Sequence, residues 1–304
     1  MGDTVFVGRA CGKAILLGEH FVVHGRPALA IPLRRLQTMV SMQLRSDSAG
    51  LIVETQPDVV SPAMNAVRLL AERFGVMPER LSIRIDSCVP LGCGLGSSAA
   101  FAVAVVRAFQ HLVAFPSGGE PDVEVTNSMA FVLECLAHGN PSGVDNTVVS
   151  FERPLVFRRD QPPRLIGDNS SLTFLVADSG IRHSTALAVA AVGEFAKMDP
   201  IVFHDILCKV ESIVESGVDA YLRSDGPSLG NAMFTNHNLL RQVGVSSAPL
   251  DRLVCAALDA GAWGAKLTGA GVGGSVLAVT SAEAVAKVTK SLRNSGARQV
   301  LVAQ

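Results

Sequence analysis

A mixed α+β protein of two domains is what this chain predicts, on three observations. Its 304 residues exceed what one hydrophobic core usually organises. Strand-like alternation and helical spacing of apolar residues follow one another along the whole length. Hydrophobic residues make up 48% and charged residues 17%, enough apolar side chain for sizeable cores and too much for extended disorder.

The elements follow in order. Residues 4–7 and 14–17 are strand-like, and the chain turns through Gly18, Glu19 and His20 into the apolar run Phe21, Val22, Val23. Polar and β-prone residues alternate over 37–53, which predicts a hairpin in a half-exposed sheet. Ala66, Leu69, Leu70 and Phe74 fall at helical spacing, predicting an amphipathic helix over 63–74. Residues 81–86 alternate strictly, as a strand with one buried face does, and lead straight into a glycine loop. The apolar run 99–113 is broken by Arg107, Gln110 and His111 and is shorter than a membrane span, so a buried helix is expected. Beyond Pro162 and Pro163 come a strand at 172–176, helices near 186–195, 206–221 and 250–260, a strand at 275–279, a helix over 282–292 and a last strand at 299–303. A boundary near 167–170 gives expected domains 1–169 and 170–304.

Charge excludes some functions. Lys and Arg number 26 against 27 Asp and Glu, so no global bias suggests nucleic acid or an acidic membrane, and any anion must be captured locally. The six cysteines are scattered without a C-x-x-C pair, and the first residues lack the basic flank and apolar run of a secretory signal. Reduced thiols and a cytoplasmic location are expected.

Three segments can carry chemistry. Pro90, Leu91, Gly92, Cys93, Gly94, Leu95, Gly96, Ser97 and Ser98 sit between the strand and the buried helix, where backbone N–H groups and a helix N-terminus favour an anion. One serine there is expected to cap the helix and the other to reach a phosphate or metal oxygen. A single G-x-G is an ordinary turn, but three alternating glycines followed by Ser-Ser-Ala-Ala are more specific. The spacing is wrong for a dinucleotide fold, and residues 8–14 are one residue short of a Walker A loop. A second cluster, Gly269, Ala270, Gly271, Val272, Gly273 and Gly274, follows Lys266 and leads into a strand, so two glycine loops point to a bipartite nucleotide and substrate cleft. Finally, Glu134 lies in an otherwise apolar helix, which favours a ligand or partner over a solvated role, and Asp145 emerges after the turn Asn140, Pro141, Ser142, Gly143. Alone, Asp145 would more often be an N-cap than a catalyst.

Together these segments resemble the GHMP kinases, in the form the mevalonate kinases have. Residues 12–25 (GKAILLGEHFVVHG) resemble the first family motif, 90–100 the second and 266–274 the third, while 138–146 (HGNPSGVDN) resembles the catalytic segment. The resemblance spans nearly the whole chain with the motifs in family order. It departs from the family at Ala10 and Cys11, where relatives have a proline, and at Val272, which replaces a glycine.

The resemblance implies a two-domain fold, the N-terminal one like domain 2 of ribosomal protein S5 and the C-terminal one ferredoxin-like. It implies ATP and magnesium (Mg2+) as cofactors and mevalonate as the small-molecule partner, with no nucleic acid or membrane; a homodimer is compatible with it. Lys13 and Asp145 would be the catalytic pair, and Ser98 and Glu134 the metal ligands. Pro90, Gly92, Gly94, Leu95, Gly96, Ser97 and Ser98 would cradle the phosphates. Glu19, His20, Ser184, Thr185, Gly269, Ala270 and Gly271 would lie at the substrate. A phosphomevalonate, homoserine or sugar kinase is the alternative enzyme, and a catalytically silent ligand sensor the alternative class; the segment 138–146 argues against the former, and Lys13, Glu134 and Asp145 against the latter.

Overall fold

The computed structural model describes residues 4–47, 49–169, 171–182 and 185–303. Two units emerge, and neither is one continuous stretch: the first comprises Met1–Gly12, Leu36–Pro90 and Gly96–Glu152, the second Lys13–Arg35, Leu91–Leu95 and Arg153–Gln304. Each unit gathers separated stretches of the chain, because two long strands run through both. These are β1 (Val5–Leu17) and β2 (Ala28–Leu44), which pair with each other. The two short stretches expected at 4–7 and 14–17 are thus one strand. The apolar run after His20 is no strand but a single 3-10 turn, Phe21–His24.

In the first unit, β3 (Ile52–Glu54), α1 (Pro57–Phe74) and β4 (Leu81–Ser87) are followed by α2 (Ser97–Ala114), α3 (Val123–His138) and α4 (Val144–Phe151). β4 pairs antiparallel with residues 38–44 of β2 and parallel with β3. The hairpin expected over 37–53 therefore does not form: its first half belongs to β2 and its second half crosses to the far side of β4. Alternation reveals a strand but not its partner, and parallel neighbours need a longer connection than a hairpin turn. α2 packs against α1, α3 and α4. Its apolar residues from Ala99 to Phe109 are mostly buried, so its membrane-like length and hydropathy are spent on a protein core. Phe109 stacks on Phe74 of α1 with centroids 5.5 Å apart, a pairing worth roughly 0.5–1.5 kcal/mol beyond its buried area.

In the second unit, β5 (Leu155–Phe157) pairs with residues 28–30 of β2 and with β6 (Arg164–Leu165). Then come β7 (Thr173–Asp178), α5 (Thr185–Met198), α6 (Pro200–Leu222), α7 (Gly226–Gln242), α8 (Ala248–Asp259), β8 (Gly264–Thr268), β9 (Ser275–Thr280), α9 (Val285–Asn294) and β10 (Gln299–Val302). The antiparallel order β10-β7-β9-β8 is that of a ferredoxin-like β-α-β-β-α-β sheet.

α7 has no counterpart in the sequence reading; Gly226, Pro227 and Gly230 at its start are poor helix formers. The glycines serve packing. A Cβ on Gly226 would lie 2.1 Å from the Trp263 ring, and one on Gly230 would lie 2.3 Å from the Trp263 backbone. Only a bare backbone face lets α7 lie this close to the start of β8.

Candidate active site

In the first unit Ser97, Ser98 and Asp145 stand at helix starts, while Glu134 lies towards the end of α3. Gly96, at φ 74°, is the N-cap of α2, so Ser97 and Ser98 are its first two helical residues and neither caps it. The expectation of a serine cap fails because a left-handed glycine already ends the loop there. Ser98 instead donates its hydroxyl to Glu134 Oε1 at 2.5 Å. Glu134 comes from α3, a helix opened by Asp122, whose Oδ1 accepts from the N–H groups of Glu124 and Val125. Thr126, Ala130, Leu133 and Glu134 recur at helical spacing and are the buried face of α3, which leaves Glu134 3% exposed. A carboxylate placed on an apolar stripe must find a polar partner or a cation. Two hard oxygens side by side suit magnesium, which uses one or two protein groups and keeps waters or phosphates for the rest. Among the described residues no cluster of three or more His, Cys, Asp or Glu side chains forms a cage of its own.

Asp145 is not an N-cap. Gly143, at φ 89°, holds that position in α4, and Thr147 donates its hydroxyl back to the Gly143 carbonyl at 2.6 Å. Asp145 is the second helical residue, half-buried between the buried Val144 and Asn146. Asn146, which the sequence reading passed over, ties this turn to α3 by donating to Asn127 Oδ1 at 2.6 Å.

In the second unit, Lys13 is 2% exposed in β1, and its N–H donates to the Leu95 carbonyl at 2.9 Å. The glycine loop is thereby tied to the strand that carries the lysine. The loop also meets the other glycine cluster: a Cβ on Gly94 would lie 2.8 Å from Gly269 Cα, and one on Gly269 2.6 Å from Gly94 Cα. No side chain fits between them, which is why both positions are glycine. Val272 keeps a positive φ of 62°, held by its N–H to the Val245 carbonyl at 2.7 Å. The departure from glycine here leaves the loop in a glycine-like conformation at some cost in strain.

His20 Nε2 lies 2.8 Å from the Ala270 carbonyl, and burial pushes its pKa down to about 4. Glu19 is 1% exposed and forms an ion pair with Lys266, which is fully buried. Burial raises the carboxyl pKa and lowers the ammonium pKa, each opposed by the partner's charge. Ser184 lies outside the described residues, and Thr185 opens α5. Pro90 precedes the glycine loop and is half-buried.

Several polar residues here went unassigned in the sequence. Lys266 was visible only as the residue before the glycine cluster, although a lysine in the buried strand β8 is a signal of pairing. Asn236 and His237 sit in the unrecognised α7. Arg182 donates to both oxygens of Asp178 at 2.8 Å. Burial pushes the Asp178 pKa up, but the guanidinium prevails and holds it below the usual carboxylate value. A Cβ on Gly92 would lie 3.0 Å from Arg182 Cδ, so a cationic side chain flanks the glycine loop.

Helix N-termini, glycine loops and buried charges in this order define a class. The family model of the GHMP kinases N terminal domain matches residues 61–152, and that of the GHMP kinases C terminal domain matches residues 218–298. The chain belongs to the GHMP kinases. Within them it is similar to mevalonate kinases: it is 34% identical over 289 residues to that of Aeropyrum pernix, covering 88% of this chain and 86% of the relative. It is also 34% identical over 299 residues to that of Thermococcus onnurineus, covering 89% and 87%. Among solved structures, L. major mevalonate kinase in complex with R-mevalonate superposes with a TM-score of 0.88 at 29% identity, over 98% of this chain and 94% of that one.

Proposed function

We propose that the chain transfers the γ-phosphoryl group of ATP to a hydroxyl of mevalonate, giving phosphomevalonate and ADP in isoprenoid precursor synthesis. The observation that carries this reading is the likeness to mevalonate kinases across both units, at 34% identity over 88% of the chain.

Phosphoryl transfer asks a protein mainly for positioning and charge stabilisation. Asp145 accepts or polarises the proton of the acceptor hydroxyl as its oxygen bonds to phosphorus and the bond to the ADP oxygen breaks. Lys13 offsets charge on the transferring group. Backbone N–H groups of the Gly92 to Ser98 loop and the start of α2 hold the nucleotide phosphates. Ser98 and Glu134 would hold magnesium, which when bound would neutralise phosphate charge. Gly269, Ala270 and Gly271, with Glu19, His20, Ser184 and Thr185, form the acceptor end. The exposed thiols Cys88, Cys208 and Cys255 suit a reducing, cytoplasmic setting.

An ADP-release assay across mevalonate, phosphomevalonate, homoserine and galactose, with NMR of the product, tests the reading. Mevalonate is expected to give the highest kcat/KM. A clearly higher value for another acceptor overturns the substrate and leaves the kinase; no ADP release with any of them overturns both.

A further inference from the structure

The turn that carries Glu19 and His20 holds a shape it would not keep unaided. Phe21 N–H donates to the Glu19 carbonyl at 2.7 Å, closing a three-residue turn around His20. His20 has φ 61° and ψ −43°, close to the positive-φ γ-turn, which is rare and strained for a residue with a Cβ. Such geometry persists only where the surroundings over-determine it.

Three tethers do so here. Lys266 Nζ pairs with Glu19 Oε1 and donates to the Leu267 carbonyl at 2.6 Å. Asn236, fully buried in α7, donates from Nδ2 to Glu19 Oε2 at 3.2 Å and accepts from the Gly18 N–H on Oδ1 at 3.2 Å. The third is the His20 ring on the Ala270 carbonyl. A carbonyl can only accept, so Nε2 carries the proton, and the neutral ring leaves Nδ1 as a bare acceptor. Both oxygens of Glu19 are occupied within the protein, and its side chain is closed to solvent. Glu19 therefore serves the acceptor end through the turn it holds.

We propose that Lys266 and Asn236 are positioning residues for the acceptor end of the site: by clamping the Glu19 carboxylate and the Gly18 N–H, they hold the strained turn that sets the His20 tautomer and docks its ring on Ala270. This rests on the reading that His20 and Ala270 stand at the acceptor. The clamp is assembled from the turn after β1 and from α7 and β8, which both lie more than 200 residues further along the chain, and shares no side chain with the glycine loop assigned to ATP phosphates.

The test uses Lys266→Met, Asn236→Ala and the double variant Glu19→Leu/Lys266→Met. Single variants are expected to raise the acceptor KM by roughly tenfold to a hundredfold, as small misplacements do, with the ATP KM within about twofold of wild type. A role in stability alone predicts a lower Tm and unchanged KM in the folded fraction. The double variant separates the two, because removing both buried charges relieves the unpaired-charge cost and should restore Tm. Its acceptor KM should stay raised. Should Lys266→Met fail to fold, Asn236→Ala and the double variant still decide. Wild-type KM in Asn236→Ala, or KM recovering together with Tm in the double variant, overturns the proposal. Nitrogen-15 NMR of the His20 ring in the resting protein supplies a readout independent of turnover. Wild type should show the Nε2–H tautomer and the variants a mixture; an unchanged tautomer in the variants overturns the clamp. If wild type fails to use mevalonate, the substrate reading falls while the NMR result still judges the clamp.

Discussion

The Ser98, Glu134 and Asp145 region and the Glu19, Asn236 and Lys266 region solve opposite problems with similar groups. In the first, polar side chains stand in the opening turns of α2 and α4 and on one stripe of α3, each placed by a short local pattern. In the second, an ion pair and an amide are shut inside the protein and meet Glu19 across sequence separations of 247 and 217 residues. Groups proposed to act on a ligand are each placed by the helix that carries them, and local structure suffices for that. Groups that hold a backbone in strain must be buried, and burial of charge demands a partner from elsewhere. Substitution should therefore cost rate in the first region and geometry or stability in the second.

The largest effect is expected at Asp145. Asp145→Asn keeps size and most hydrogen bonding but loses proton acceptance, so kcat should fall by about a hundredfold to ten-thousandfold. Because Gly143 and not Asp145 caps α4, the substitution removes no N-cap. Near-normal kcat, measured by steady-state kinetics beside a thermal melt, would remove Asp145 from the chemistry. Lys13→Met is expected to follow with a loss of roughly a hundredfold or more in kcat. If its Tm falls steeply while kcat of the folded fraction survives, Lys13 belongs with the buried, holding groups.

Glu134 tests the comparison from its most ambiguous member, since it is buried like Glu19 yet accepts a hydrogen bond from the Ser98 hydroxyl. Glu134→Gln should raise the magnesium concentration needed for half-maximal activity by roughly tenfold, because a carboxylate is a harder, charged ligand than an amide. Wild-type activity at low magnesium would make Glu134 a structural residue.

Much of the first region was legible in the sequence because its signals are local: three alternating glycines before Ser97, Glu134 amid the apolar stretch 129–137, an aspartate after Pro141 and Gly143. The fold class was legible for the same reason, strand and helix periods being readable within a dozen residues. The pairing of β3 with β4 was not, since strand order is a long-range choice that alternation does not encode. α7 was hidden by the glycines that let it approach Trp263, and with it went Asn236 and His237. Lys266 stood in plain view, but its role depends on a glutamate near the other end of the chain.

The smallest effect concerns His237, in the buried region. Its Nδ1 accepts from the Leu267 N–H at 3.4 Å, and its Nε2 lies 3.2 Å from Asp251 Oδ1, so the ring is held neutral with the proton on Nε2. Burial pushes its pKa down to about 4, despite the nearby Asp251 carboxylate. An unfolded histidine takes its proton near 6.5. Between those two values the unfolded state binds more protons, so this group's contribution to stability is complete above about pH 6.5 and is lost as pH falls towards 4, by up to about 1.4 kcal/mol per pH unit. His20 acts in the same direction, its pKa also being near 4, whereas Glu19, raised by burial, contributes stability that is lost as pH rises. The total slope thus mixes signs, and only a difference isolates one group. Urea denaturation of wild type and His237→Gln at pH 4.5, 5.5, 6.5 and 7.5 should show the variant less sensitive to acid across that window. Parallel slopes would mean that His237 titrates alike in both states and is not part of the buried, neutral framework beneath β8.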